Sequence, residues 1–290
     1  MSQNANIRPM PNGLESPMAS QGQKIITYVL LFGIGTLFLV PFFWMISTSL
    51  KTSIEAFSIP IEWIPARPHW GNYVDLFTTV PFAQFLVNSI GIALVSVVGQ
   101  VLSGSLVAYG FARLSGVGKP ILFGLLLSTM MLPSQVTLIP SFLLFRELGW
   151  YDTFAPLTVP AWLGTPFYIF MLRQFIMTIP LDYDDAARID GCSTFGIYWR
   201  IILPMLVPAL ITVSVMVFIG SWNDFMGPLI YLSSIENFTV ALGLNLFRTQ
   251  YTQYWNLTMA ASVISLIPCL IIFFSAQKFL IQGFVVDGLK

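Results

Sequence analysis

The sequence predicts an all-α membrane protein with six transmembrane helices and both termini on the cytoplasmic side. Three observations predict it. Of 290 residues, 56% are hydrophobic and only 9% are charged, where a soluble domain carries about a quarter charged residues. Apolar runs long enough to cross a bilayer, about 20 residues each, recur six times between sparse charges. The 13 Lys and Arg residues then divide nine to four between the two sides that those crossings define. A soluble core cannot absorb this much apolar surface, so lipid is the solvent. In hydrocarbon each span must be helical, because its backbone groups find no water to bond.

In chain order, residues 1–24 are polar, rich in Asn, Gln, Ser and Pro, and lack apolar periodicity, the composition of a disordered tail. The first span occupies 25–46 within a segment 25–50. It is too long for the apolar region of a signal peptide, and no small-residue cleavage site follows it. A loop, 51–84, comes next. The second span fills 85–112 in the charge-free interval between Asp75 and Arg113. The third lies between Lys119 and Arg146, the fourth between Asp152 and Arg173, the fifth at 202–222 and the sixth at 257–276. Residues 85–278 therefore read as one transmembrane domain containing a charged loop, 180–204, and 279–290 as a C-terminal tail.

Basic residues choose the orientation. Arg8, Lys24, Arg113, Lys119, Arg173, Arg188, Arg200, Lys278 and Lys290 fall on the side of the termini, and Lys51, Arg67, Arg146 and Arg248 on the other. The excess of positive charge places the termini and the 180–204 loop in the cytoplasm. The opposite loops carry Trp63, Trp70, Trp150, Tyr151, Tyr254 and Trp255, which suit a membrane–water boundary. Pro41, Pro133, Pro140, Pro160, Pro166, Pro208 and Pro268 lie in or beside the spans, where neighbouring helices satisfy the carbonyls that kinks release. Gly104, Ala108 and Ala112 make a smooth stripe for close packing on the second span.

Charge is concentrated in one long stretch, 180–208, which holds Asp182, Asp184, Asp185, Arg188, Asp190 and Arg200. Asp182 is placed to cap a short helix starting near Tyr183, with Asp185 in the capping-box position. Asp184 and Asp185 suit the positive end of the helix dipole. Ala186 and Ala187 keep one surface small, and Gly191 can take the left-handed conformation that ends the helix. The result is about two turns, roughly 12 Å long, marginal alone in water. A second short segment, 194–200, leads to Leu203-Pro204 at the start of the fifth span. These residues by themselves fit a solvated loop that marks the inner face as well as they fit a docking element.

Asp185-Ala186-Ala187, then Asp190-Gly191, and Leu203-Pro204 beyond them resemble the EAA loop of permease subunits of binding-protein-dependent ABC importers. That family's pattern is Glu-Ala-Ala, three residues, Gly, then a hydrophobic stretch ending in Leu-Pro, and Asp185 stands here for Glu. The flanking Pro180 and Pro208 fit as well. Pro41-Phe42-Phe43-Trp44, Ser49-Leu50-Lys51, Asn88-Ser89, Ala108-Tyr109, Trp222-Asn223-Asp224-Phe225 and the tail 283–290 are similar to the carbohydrate branch, with the shape of the smaller permease of maltose-type systems. The resemblance covers the chain after residue 24 and implies a type-I ABC importer permease fold in a prokaryotic cell membrane. It assigns Asp185, Ala186, Ala187, Arg188, Asp190 and Gly191 to coupling with a cytoplasmic ATPase dimer. It further implies a second permease subunit, an extracytoplasmic solute-binding protein and a carbohydrate substrate.

Several function classes are disfavoured. Zero net charge gives a nucleic-acid partner no electrostatic support. Gly118-Lys119 is followed by Pro120, where a phosphate-binding loop needs Ser or Thr. ATP and Mg²⁺ are therefore expected on the partner ATPase, with no cofactor in this chain. His69 has no second His or Cys nearby, so a metal site or a His-based triad is not expected. Cys192 and Cys269 are far apart and imply no disulfide framework. A substrate path is expected near Trp162, Tyr168, Trp222, Asn223 and Asp224: the spans hold almost no ionisable residue, Asp224 at the outer end of the fifth being the nearest, and the aromatic faces, amide and hydroxyl of the other four suit a neutral, hydroxyl-rich solute better than a cation. A permease for a polyol or a phosphorylated glycerol stays open as an alternative. So does a self-contained secondary transporter, although no ion-coupling carboxylate stands inside a span.

Overall fold

The computed structural model describes residues 21–249 and 254–285, and among these the regular structure is entirely helical. The N-terminal tail up to residue 20 and the last five residues lie outside them. Helix α1 (Gln21–Ser49) is exposed along nearly its whole apolar length, as expected of a helix whose solvent is lipid. A 3₁₀ turn (Glu55–Phe57) and helix α2 (Gly71–Thr79) follow inside the segment read from sequence as loop 51–84. Helix α3 (Phe82–Arg113) is 32 residues long, about 48 Å at 1.5 Å per residue. It is the axis of the molecule.

The third apolar interval is not one continuous helix. It consists of α4 (Lys119–Ser128), a 3₁₀ turn (Thr129–Met131) and α5 (Ser134–Glu147), bent by 99°. Pro133 is the reason. It sits extended (φ −62°, ψ 137°) and holds Leu132 extended as well (ψ 117°), because proline disfavours the helical region for the residue before it. Helices α6 (Ala155–Trp162) and α7 (Pro166–Thr178) form the fourth interval, interrupted at Gly164, whose φ is +81°. Helix α8 (Asp182–Ile189) and the short α9 (Thr194–Ile197) lead through a π-helical turn (Tyr198–Ile202) to α10 (Leu203–Met205) and α11 (Val207–Trp222). The stretch Thr194–Met205 meets α11 at 74°, where Pro208 has no N–H for the ladder and its ring crowds the preceding turn. Helices α12 (Met226–Tyr231), α13 (Val240–Thr249) and α14 (Trp255–Val285) complete the described residues.

Among the described residues, four helical segments are long and apolar enough to cross a membrane: Gly22–Ser49, Phe82–Arg113, Ala155–Thr178 and Trp255–Phe279. The two bent pairs bring the number to six if each makes one crossing. Around α3 pack α6, α7 and α11, while α1, α2, α11 and α13 pack on α14. Two apolar clusters sit toward opposite ends of α3. One includes Phe82, Phe85, Phe218 and Trp222, and the other Ala108, Leu172, Ala187 and Ile202. Gly99 lets the fourth interval approach closely, since a Cβ there would lie 2.5 Å from the Trp162 ring.

Candidate functional site

Helix α8 begins differently from the sequence expectation. Leu181, not Asp182, precedes the helix, and it is already helical (φ −66°, ψ −21°), with no side-chain cap. Its carbonyl accepts the N–H groups of Asp184 (2.9 Å) and Asp185 (3.1 Å), so Asp182 is drawn into the first turn and no capping box forms. Asp185 instead pairs with Arg188 at 2.9 Å on the exposed surface. The helix end follows the expectation. Gly191 has φ +79°, the Cys192 N–H donates to the Ala187 carbonyl at 2.9 Å, and the Gly191 N–H donates to that of Arg188 at 3.0 Å. This pair of bonds is the Schellman motif.

The two faces of α8 differ in kind. Asp184 and Ala187, three apart, point inward and are buried. Asp182, Tyr183, Asp185, Ala186, Arg188, Ile189 and Asp190 are exposed, with Ile189 87% accessible. Beyond the turn, Ser193 accepts the Gly196 N–H and starts α9, leaving Phe195 and Trp199 exposed and stacked with ring centres 6.4 Å apart. A cleft of about 680 Å³ runs beside Pro180, Tyr183 and Ala186, and another of about 530 Å³ beside Gly191, Phe195 and Trp199. The residues assigned to coupling thus lie on one outward surface that combines small side chains, apolar patches and both signs of charge. The exception is Ala187, which faces the bundle.

Behind α8, the last turns of α3 and α7 hold it. The Arg113 side chain reaches Asp184 with Nε 3.2 Å from Oδ2, both side chains nearly inaccessible. This is a charge contact without the angle of a hydrogen bond. Its Nη2 donates to the Ile179 carbonyl at 2.7 Å. Tyr109 donates to the Thr194 carbonyl at 3.1 Å, and the Ser105 and Tyr198 hydroxyls lie 2.8 Å apart. Arg173 on α7 donates to the Phe111 carbonyl at 3.1 Å. Nothing in the residue order joins Arg113 to Asp184. They lie far apart in the chain, and Asp184 is one of four neighbouring aspartates.

Toward the other half of α3, a cleft of about 310 Å³ opens between α3, the α6–α7 break and α11. Ser96, Gln100, Tyr168, Ser221, Asp224 and Thr239 supply its polar wall. Of the residues proposed from sequence for a substrate path, Tyr168 and Asp224 line it. Trp162 packs on Gly99 instead. Trp222 is buried and stacks on Phe218 at 5.6 Å, and Asn223 is turned to the outside, its amide donating to the Ile219 carbonyl at 2.9 Å. Ser96 and Gln100 were legible in principle as polar residues four apart on an apolar span. Gln100 is fully buried, and its Oε1 accepts the Thr165 N–H at 2.8 Å, which holds the break between α6 and α7. Ser103 adds a bond to the Ala161 carbonyl at 3.3 Å.

The far end of the bundle is tied by polar bonds. Lys51 is buried, with Nζ 4.2 Å above the Trp44 ring and bonded to the Glu62 carbonyl. Burial draws its pKa down, and Glu62 and Glu55 partly offset this. Asn72 donates to the Ser49 and Lys51 carbonyls (2.7 and 2.8 Å) and accepts from Asn256 (2.8 Å). Asp152 accepts from the Ser234 hydroxyl, the Ser233 and Ser234 N–H groups and Asn237, and these bonds hold its carboxyl well below the usual range. Among the described residues no cluster of three His, Cys, Asp or Glu could hold a metal.

Residues 100–286 match the model of the family described as binding-protein-dependent transport system inner membrane component. The arabinooligosaccharides transport system permease protein AraQ of Bacillus subtilis is 34% identical over 258 residues, 88% of this chain and 91% of that one. The sulfoquinovosyl glycerol transport system permease protein SmoH of Agrobacterium fabrum is 30% identical over 279 residues, 96% and 97% of the two chains. A chain from the crystal structure of a bacterial ABC transporter that imports the acidic polysaccharide alginate superposes with a TM-score of 0.78 at 22% identity, covering 91% of this chain and 99% of the other. At that identity the superposition speaks to the fold.

Proposed function

The chain belongs to the family of binding-protein-dependent transport system inner membrane components, and from that membership we propose that it is one transmembrane half of an ATP-driven carbohydrate importer in a prokaryotic cell membrane. In this reading it crosses six times, with both termini and α8 in the cytoplasm. It pairs with a second permease. A cytoplasmic ATPase dimer holds ATP and Mg²⁺ and seats α8, and a solute-binding protein delivers sugar to the opposite face. The observation that carries the reading is the two-faced α8: eight residues, too short to persist alone in water, fixed to the bundle on one side and bare on the other.

The mechanism follows from that arrangement. Closure of the ATPase dimer displaces α8, and the bundle rocks between inward-open and outward-open states, a recognised mode of switching. The chain makes and breaks no covalent bond. Its cleft offers hydroxyls, an amide, a tyrosine ring and, among the described residues that line it, one charged side chain, Asp224. That chemistry suits a solute recognised by hydrogen bonds and ring faces. The relative named for arabinooligosaccharides transport supports a carbohydrate cargo.

Reconstitution tests the reading. Uptake by the assembled importer in proteoliposomes is expected to require ATP on the α8 side and the binding protein on the other. Sugar uptake by this chain alone, driven by an ion gradient, would overturn it in favour of a secondary transporter. On the docking surface, Ala186→Trp places a large ring where a partner backbone must approach. The ATPase subunits are then expected to be lost on purification while the folded permease remains.

A further inference from the structure

Ser105, Tyr109 and Arg113 lie four residues apart on the last turns of α3, and each grips a different part of the charged segment. Ser105 meets Tyr198 in the π-helical turn, Tyr109 meets the turn that starts α9, and Arg113 meets α8 itself. The opposite half of the same helix lines the cleft through Ile92, Ser96 and Gln100. From Arg113 to Ser96 is about 25 Å along one unbroken helix. The Arg113–Asp184 contact is buried on both sides, with side chains 4% and 1% exposed. A pair like this resists separation more than it adds net stability, because parting it leaves an uncompensated charge out of water. Whatever displaces α8 therefore meets less resistance by carrying α3 along than by leaving Arg113 behind.

We propose that Arg113 and Asp184 are the positioning pair through which displacement of α8 reaches the cleft, with α3 as the rod between them. Tyr109 and Ser105 extend the grip to α9 and the π-helical turn, so the segment moves with α3 as a unit. Arg113 also holds the Ile179 carbonyl at the end of α7. The same side chain thereby joins α3 to the end of α7, two of the elements that wall the cleft. This inference rests on the reading of α8 as the element that docks the ATPase.

The test uses the complete importer, purified with its partner subunits and reconstituted, and reads sugar transported per ATP hydrolysed. Asp184→Asn leaves the exposed docking face untouched, so the ATPase subunits are expected to co-purify and ATP hydrolysis to continue. Sugar per ATP is expected to fall about tenfold, within the range by which single residues alter coupling. The exchange Arg113→Asp with Asp184→Arg is expected to restore most of the ratio. A merely structural role would lower the yield of assembled complex and leave the ratio of the surviving complexes unchanged, and that result overturns the proposal. If Asp184→Asn does not assemble, the exchange decides: an assembled, coupled exchange supports the pair, and one that is uncoupled or unassembled refutes it. Failure of the underlying reading looks different, because the unsubstituted chain would then retain no ATPase or would transport without ATP.

Discussion

The two ends of α3 are built by opposite rules. At the Phe82 end, Asn72, Asn256, Lys51 and Asp152 knit loops and helix ends together with bonds whose partners are fixed on every side. At the Arg113 end, a helix of eight residues is held by one buried ion pair, one buried alanine and a glycine turn, and its other face is bare. Dense, mutually satisfied polar bonding resists local opening, whereas α8 is tied to the bundle on one face only. Under the proposed function, the contrast assigns the Phe82 end to holding the fold and the α8 end to receiving a displacement that α3 carries.

Substitutions at the two ends should accordingly separate stability from coupling. The largest stability loss is expected from Trp222→Ala, which removes a buried indole stacked on Phe218 and costs about 3–5 kcal/mol. Thermal unfolding of the purified importer checks it, and sugar moved per ATP by the folded fraction should stay near the parent value. Asn72→Leu comes next, at about 1–3 kcal/mol for each buried group left unpaired, again without uncoupling. Gly191→Val sharpens the contrast from the other side. A Cβ added at Gly191 meets no neighbouring atom within 4 Å, so the main cost is backbone strain at φ +79°, about 1–2 kcal/mol. Melting should change less than in Trp222→Ala while ATP-driven uptake falls several-fold.

The smallest effects concern single charges. The folded-state pKa of Asp152 is depressed, chiefly by its bond from the Ser234 hydroxyl. Its contribution to stability is therefore complete above the unfolded value of about 4 and is lost only as pH falls through the lower folded value. Unfolding measured from pH 8 to 5 should show no loss traceable to Asp152, and Asp152→Asn should remove stability throughout that range. Arg188→Ala breaks only an exposed pair with Asp185, worth well under about 1 kcal/mol. A large effect on transport with no effect on melting would place Arg188 in direct contact with the ATPase.

Much of this was legible in the sequence, for reasons that differ by residue. The apolar runs and Gly191 could be read because hydropathy and positive φ are local properties. The 99° bend was signalled by Pro133, although proline alone announces a break and not its angle. Helix α2 was missed because 71–79 is short and sits among prolines and aromatics that read as loop. The cap at Asp182 was misplaced because Leu181 adopts helical geometry, which no side-chain preference announces. The inward turn of Asp184 was hidden for another reason. Four aspartates in nine residues look alike until helical phase and a distant arginine distinguish one of them.

Docking of a partner on α8 is tested most directly by what covers that helix. With Cys192 and Cys269 replaced by Ser, Ile189→Cys offers a single thiol on the exposed face of that helix, where Ile189 is 87% accessible. Its reaction rate with a soluble maleimide can be compared in the permease with and without the ATPase subunits. Strong protection on assembly, changing when ATP is bound, is the predicted result. Equal reactivity in both states would show that nothing docks there and would contradict the account.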